Sequence, residues 1–295
     1  MSNISTQNNL TCTKCGYLLD GLNLRDNCPE CGTRIVNGCF WCEYDLSNTA
    51  PDSVCPECGI PVTASIGHGV LESVPIQTLR RVHSGMRTIT LLILVYIVTS
   101  ISATIAAAFF IASMNSASVY TMVIVGSTIN NGILIAIAYG WIKASTPLPN
   151  IPSNIDAQDK RTFLSVMSWL FIGFTALIMI LNFIPSGQNS LNAAPGVLDF
   201  VLGILNIIVF MIMLIYYIAS VMYIGWIARL VRNTKMYRRS KHLVWSGPLI
   251  AILGFFLLLL GPLIVLILYW NMIEYTRRDL KKIINAADRN RLAGI

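Results

Sequence analysis

Charge is scarce in this chain. Asp, Glu, Lys and Arg make up 12% of its residues against a hydrophobic fraction of 55%, and the mean hydropathy is +0.64. Soluble domains carry about 25% charged residues, so an ordinary water-solvated globule is excluded and lipid must surround much of the molecule. Glutamate and histidine are scarcer still, at five and three residues. No Glu-x-x-His pair occurs among them, which removes the helix-borne di-iron carboxylate centre that such pairs build. The stretch from Met1 to Leu10 lacks both a basic start and an apolar run, so no cleavable signal is expected and the first hydrophobic span must act as its own membrane signal. Cysteine is missing from everything after position 58.

The charge that is present is divided unevenly. The formal net charge is +7, yet residues 1–62 hold three basic against seven acidic side chains, −4, and the remainder carries +11. The basic excess therefore belongs to the apolar part, where loop cations and contact with anionic lipid account for it. Nucleic-acid affinity rests largely on Lys and Arg contacts to phosphate. A head of this sign is not expected to bind nucleic acid.

All eight cysteines fall in Cys-x2-Cys pairs: Cys12 with Cys15, Cys28 with Cys31, Cys39 with Cys42, and Cys55 with Cys58. Twelve residues separate Cys15 from Cys28, and twelve separate Cys42 from Cys55, so the second set repeats the first with a shift of 27 positions. Tyr17 and Tyr44, Leu19 and Leu46, and the Cys-Pro-Glu-Cys-Gly turns share that shift, which marks a duplicated unit. Two units are read, 11–35 and 38–62. Each is too short to fold on apolar burial, since chains below roughly 40 residues usually need metals or disulfides. A Cys-x2-Cys turn sets two thiolates on one side of a tight loop and a second turn completes a tetrahedron. Sequential ligation closes the shortest loops, so Cys12, Cys15, Cys28 and Cys31 form one expected site and Cys39, Cys42, Cys55 and Cys58 the other.

These turns, Cys-x-x-Cys-Gly-Tyr from Cys12 to Tyr17 and Cys-Pro-x-Cys-Gly from Cys28 to Gly32, resemble those of the zinc-ribbon and rubredoxin-like family. The resemblance covers about a fifth of the chain and implies small β-rich ribbons holding two structural zinc ions. The second copy departs from it at Glu43, where the family has a glycine. Iron is the alternative metal, because a tetrahedral site of four sulfurs suits zinc or iron and the twelve-residue interval also resembles the iron-binding tail of rubrerythrin-type proteins. Disulfides fit less well, because the spacing is a ligand spacing and no export signal precedes it. A metal closed by four cysteines has no open position for water, which argues against hydrolytic chemistry. Tyr17 and Tyr44 are expected to pack over the metal loops. Trp41 has no counterpart in the first copy and is a contact candidate, and His68 is a remote candidate for a replacement ligand.

Residues 63–88 read as a linker ending in Arg80, Arg81, His83 and Arg87. A transmembrane bundle is expected over 89–276, with spans near 89–112, 119–142, 163–184, 199–229 and 243–273, each long enough for the ~30 Å hydrocarbon core. Lys and Arg cluster before the first span, after the second and in Arg229–Lys241, while the alternate loops have none. That alternation places the head in the cytosol. Gly261–Pro262 interrupts the last run, so a helical hairpin turning at 261–262 is expected to return the basic tail, 277–295, to the same side. No Asp, Glu, Lys, Arg or His lies in the span cores, against the usual pattern of pumps and proton relays. Asn130 and Asn131 are the most polar intramembrane feature and are read as helix glue, with Thr99, Ser100, Ser102 and Thr104 of the first span as the facing surface.

The chain is thus expected to combine tandem zinc ribbons with an all-α polytopic bundle. This arrangement resembles zinc-ribbon membrane proteins of bacteria, which implies the inner (plasma) membrane. Its expected partners are the lipid bilayer and a cytosolic protein or the chain's own basic segments. The expected role is an anchored interaction or scaffold module, not an enzyme. The alternatives are a transporter or channel subunit for an uncharged solute or lipid, and a membrane-bound rubredoxin-like electron carrier.

Overall fold

The computed structural model describes residues 12, 15, 17–19, 22, 26–33, 35, 38–46, 48–50, 53–65, 71, 74–112, 116–151, 155–182, 197–255 and 260–292. His68 and the linker glycines Gly67 and Gly69 lie outside them. Among the described residues, a 3₁₀ turn at Val62–Ser65 is followed by six α-helices: α1 Ile76–Ala112, α2 Ser116–Ala144, α3 Gln158–Asn182, α4 Val197–Leu230, α5 Thr234–Phe255 and α6 Leu260–Leu292. Each packs on its neighbours in sequence and α6 closes back on α1. Among the described residues, four of them contain stretches long and apolar enough to cross a membrane, Ile76–Ala106, Ile124–Ala144, Gln158–Asn182 and Phe200–Leu230. The helical part fits an all-α bundle in a membrane.

Local chemistry sets the helix ends. α1 starts after Pro75, whose carbonyl accepts from the backbone N–H groups of Thr78 and Leu79, so the helix begins inside the stretch read as a linker. Pro75 supplies a preset φ where no donor is needed. The α4–α5 turn is tight. Arg232 takes φ 58, and the Asn233 and Arg232 N–H groups close onto the carbonyls of Ala228 and Arg229 at 2.8 and 3.0 Å, the paired bonds of a left-handed helix stop. Asn233 then caps α5 through its side-chain oxygen, 3.1 Å from Met236 N. The last apolar run is divided between α5 and α6, with Pro262 in the first turn of α6. The cations from Arg277 onward continue α6 as helix.

Bonds between helices gather at one end of the bundle. Tyr223 donates to Ala144 O at 2.9 Å, Trp226 Nε1 to Ile155 O at 2.9 Å, and Trp270 Nε1 to Thr90 O at 3.1 Å. Arg80 on α1 pairs with Asp288 on α6 at 2.8 Å, so the start of α1 and the end of α6 lie at the same end. Trp141, Tyr223, Trp226 and Tyr269 fill the interior there. α1 and α2 approach backbone to backbone: a Cβ on Gly85 would lie 2.7 Å from Ala144 N. Towards the other end, Ile105, Phe109, Val197 and Phe200 are exposed, as side chains that face lipid must be. Thr99 Oγ1 donates to Asn130 Oδ1 at 2.8 Å, tying α1 to α2 in the role expected for the asparagine.

Candidate metal centres

The N-terminal cysteines converge into two groups. The sulfurs of Cys12, Cys15, Cys28 and Cys31 lie within 4.8 Å of one another, and so do those of Cys39, Cys42, Cys55 and Cys58. The shortest contacts are Cys12–Cys31 and Cys15–Cys28 at 3.6 Å and Cys39–Cys58 and Cys42–Cys55 at 3.5 Å. Tetrahedral ligation at a metal–sulfur distance of about 2.3 Å sets sulfurs about 3.8 Å apart, whereas a disulfide needs about 2.0 Å. Each group therefore could hold one metal ion with four sulfur ligands.

Backbone hydrogen bonds fix these turns. Cys12 N donates to Tyr17 O at 2.8 Å and Cys28 N to Thr33 O at 2.7 Å; 27 positions on, Cys39 N donates to Tyr44 O and Cys55 N to Ile60 O, both at 2.7 Å. Gly32 and Gly59 take φ 66 and 70, and Glu43 takes φ 66, the left-handed conformation that glycine holds without steric cost. In every Cys-x2-Cys pair the first cysteine is buried and the second is more open; Cys15 alone of the eight is exposed. Leu19 and Leu46, each 2% exposed, sit beneath the two groups. Tyr17 and Tyr44 are more than 40% exposed, so they do not seal the sites.

The thiols of each group share their ionisation unequally. Hydrogen bonding from the Thr33 hydroxyl and backbone holds Cys31 down at about 6, and Cys31 Sγ lies 3.3 Å from Thr33 Oγ1. Burial pushes Cys42 and Cys58 up. Four anionic sulfurs at this spacing repel one another unless a cation joins them, which is the condition a bound divalent metal meets.

The second group rests on the α4–α5 turn. The Arg229 guanidinium lies over Trp41 at 4.4 Å and over Tyr237 at 4.2 Å, so aromatic rings from head and bundle share one cation. Arg232 donates to Ala64 O at 2.9 Å and lies 5.9 Å from the Phe40 ring. Arg238 pairs with Glu43 at 3.1 Å. Phe40 N donates to Ser65 Oγ at 3.2 Å, which ties the metal turn to the 3₁₀ turn. A cleft of about 490 Å³ lies along this contact, lined by Phe40, Glu43, Asp45, Ser65, Arg229 and Arg232 among others. Its acids and arginines are matched, so it carries no strong charge of either sign. Trp41, singled out because the first copy lacks it, is a contact residue within the chain. Phe40, Ser65 and Arg232 had no spacing or motif to mark them.

Comparison with protein-family models, characterised proteins and solved structures finds no match. The two four-cysteine groups and the four apolar helices define a membrane protein with two sites suited to metal.

Proposed function

We propose that this chain is a membrane-anchored zinc protein of the bacterial inner membrane, with both four-cysteine units folded as zinc ribbons facing the cytosol and serving as a protein-interaction module. The observation that carries the reading is the pair of four-sulfur groups at tetrahedral spacing. Thiolate sulfur in a tetrahedron favours zinc or iron. Zinc is preferred because a redox iron site needs an electron partner, and the scarcity of Glu and His supplies no second redox centre. Four ligands leave no position for water, so the centres stabilise structure instead of catalysing hydrolysis. Cytosolic placement follows from the loop cations, and the Arg80–Asp288 pair supports a return of the tail to the head's side. The last run, split between α5 and α6, then acts as a hairpin.

One experiment tests side and role together. A biotin ligase fused after Ile295 in the native host is expected to label a restricted set of cytosolic proteins. Changing Cys12 and Cys39 to Ser should remove members of that set while the chain stays inserted. Labelling of no cytosolic protein would contradict the topology. A set unchanged by the cysteine substitutions would contradict the interaction role.

A further inference from the structure

The two centres have the same ligands and different surroundings. Among the described residues, the first is wrapped by Leu19, Leu22, Ile35 and its own cysteines, an apolar cluster drawn from the head. Thr33 and Ile35 of this unit line the cleft together with Arg229, Arg232 and Thr234 of the bundle. The second belongs to a cluster of Cys39, Leu46, Cys55 and Val62, and its Phe40, Trp41, Cys58 and Ile60 also pack into the core that runs through the helices. Arg229, Arg232 and Arg238 then hold it from the α4–α5 turn. The outer cysteines differ in the same sense: Cys15 is exposed, whereas its counterpart Cys42 is half-buried.

From this asymmetry, and resting on the zinc reading above, we infer that the centres divide labour: the second is a retained site locked by Arg229 to the membrane bundle, and the first is an exchange site that passes zinc to and from thiolate or carboxylate ligands outside the chain. Metal leaves such a site by ligand exchange. With zinc held by Cys12, Cys15, Cys28 and Cys31, exchange would begin with an outside donor replacing the exposed Cys15, the other three cysteines would yield in turn, and the divalent ion would pass to the outside donors while the freed thiolates took protons from water. No electron changes hands. The exposure of Cys15 gives the incoming donor a path. At the second centre the same event must also release Trp41 from Arg229 and open a turn whose Phe40 N–H is held by Ser65 Oγ, so the local opening is rarer. The stacked arginine has a second role. It places a permanent positive charge beside the second centre, which carries a formal −2 with zinc bound to four thiolates, and so stabilises the filled state over the empty one.

The test is zinc release from the full-length chain in lipid nanodiscs, loaded with zinc and mixed with excess chromogenic chelator. Two phases of equal amplitude are expected, the slower by about tenfold or more, given a cation–π and hydrogen-bonded latch worth at least one decade. Cys12→Ser should leave the slow phase, and Cys39→Ser the fast one. Arg229→Ala should quicken the slow phase several-fold with the fast phase unchanged. Trp41→Ala, which removes the head's ring and leaves Arg229 in place, should do the same. A single rate for both ions, a reversed assignment, or a slow phase indifferent to both Arg229→Ala and Trp41→Ala would overturn the inference while leaving two zinc ions per chain. A chain that takes up no zinc would sink the underlying reading and the inference with it.

Discussion

At the residue scale, the grouping of the cysteines into two sets of four was legible and their neighbours were not. Ligand identity is written in Cys-x2-Cys spacing, because a tight turn leaves few ways to aim two sulfurs at one ion. Glu43 was visible as a departure from glycine, and it adopts φ 66 all the same, which shows that the turn imposes its geometry on whatever residue stands there. The use of Arg229 as a stacked cation could not be read from sequence, because cation–π contacts follow from tertiary placement and leave no periodic mark. A second cluster behaves predictably with pH. The Glu274 carboxylate accepts from Arg277 Nε and Nη2, both at 2.7 Å, and from Arg278 Nε at 2.8 Å. The Arg277 hydrogen bonds hold its pKa below the usual value. A carboxylate depressed in the folded state adds stability above its unfolded pKa and loses it as pH falls through the folded one. Glu274→Gln should therefore cost about 1 kcal/mol at neutral pH, measured as a lower thermal midpoint in detergent. The gap between mutant and parent should close as the pH is lowered below the carboxylate range.

At the scale of elements, apolar runs located the helices, since only length and hydropathy matter for crossing a bilayer. Their ends were less legible. α1 begins at Ile76, before the apolar run, because Arg80, Arg81 and Arg87 are good helix formers that hydropathy ignores. The α4–α5 stop falls on Arg232, where a glycine would have announced it. Close packing of α1 on α2 was also unmarked. Glycines are common in membrane helices, and only the contacts single out Gly85 and Gly140. A Cβ on Gly85 would meet Ala144 N at 2.7 Å and Gly140 O at 2.9 Å, both backbone atoms that cannot yield, and a Cβ on Gly140 would meet Ile89 at 2.8 Å. Gly85→Leu is expected to destabilise the bundle by about 1–3 kcal/mol through overpacking. Gly132→Ala on the same α2, where nothing lies within 4 Å, should be neutral or slightly stabilising. Thermal unfolding of the two variants in one detergent separates these outcomes.

At the scale of the whole molecule, charge and hydropathy divide the chain into an acidic metal-binding head and a basic apolar bundle. The head has −4 from its ordinary side chains, and two zinc ions each bound by four thiolates would bring it to about −8. At physiological salt such a field reaches about 8 Å, so it favours close basic surfaces and repels phosphate. The arginines of the α4–α5 turn lie within that range. Function was the least legible level, because four-sulfur groups that could hold a metal ion show where a cation fits and not what the chain does with it. The account depends first on the metal. The most direct measurement is elemental analysis of the intact chain purified from native membranes without added metal, alongside Cys12→Ser and Cys39→Ser. The account predicts about two zinc ions per chain, falling to about one in either variant with the protein still inserted. Iron as the dominant metal, or a content near one that neither substitution lowers, would contradict it.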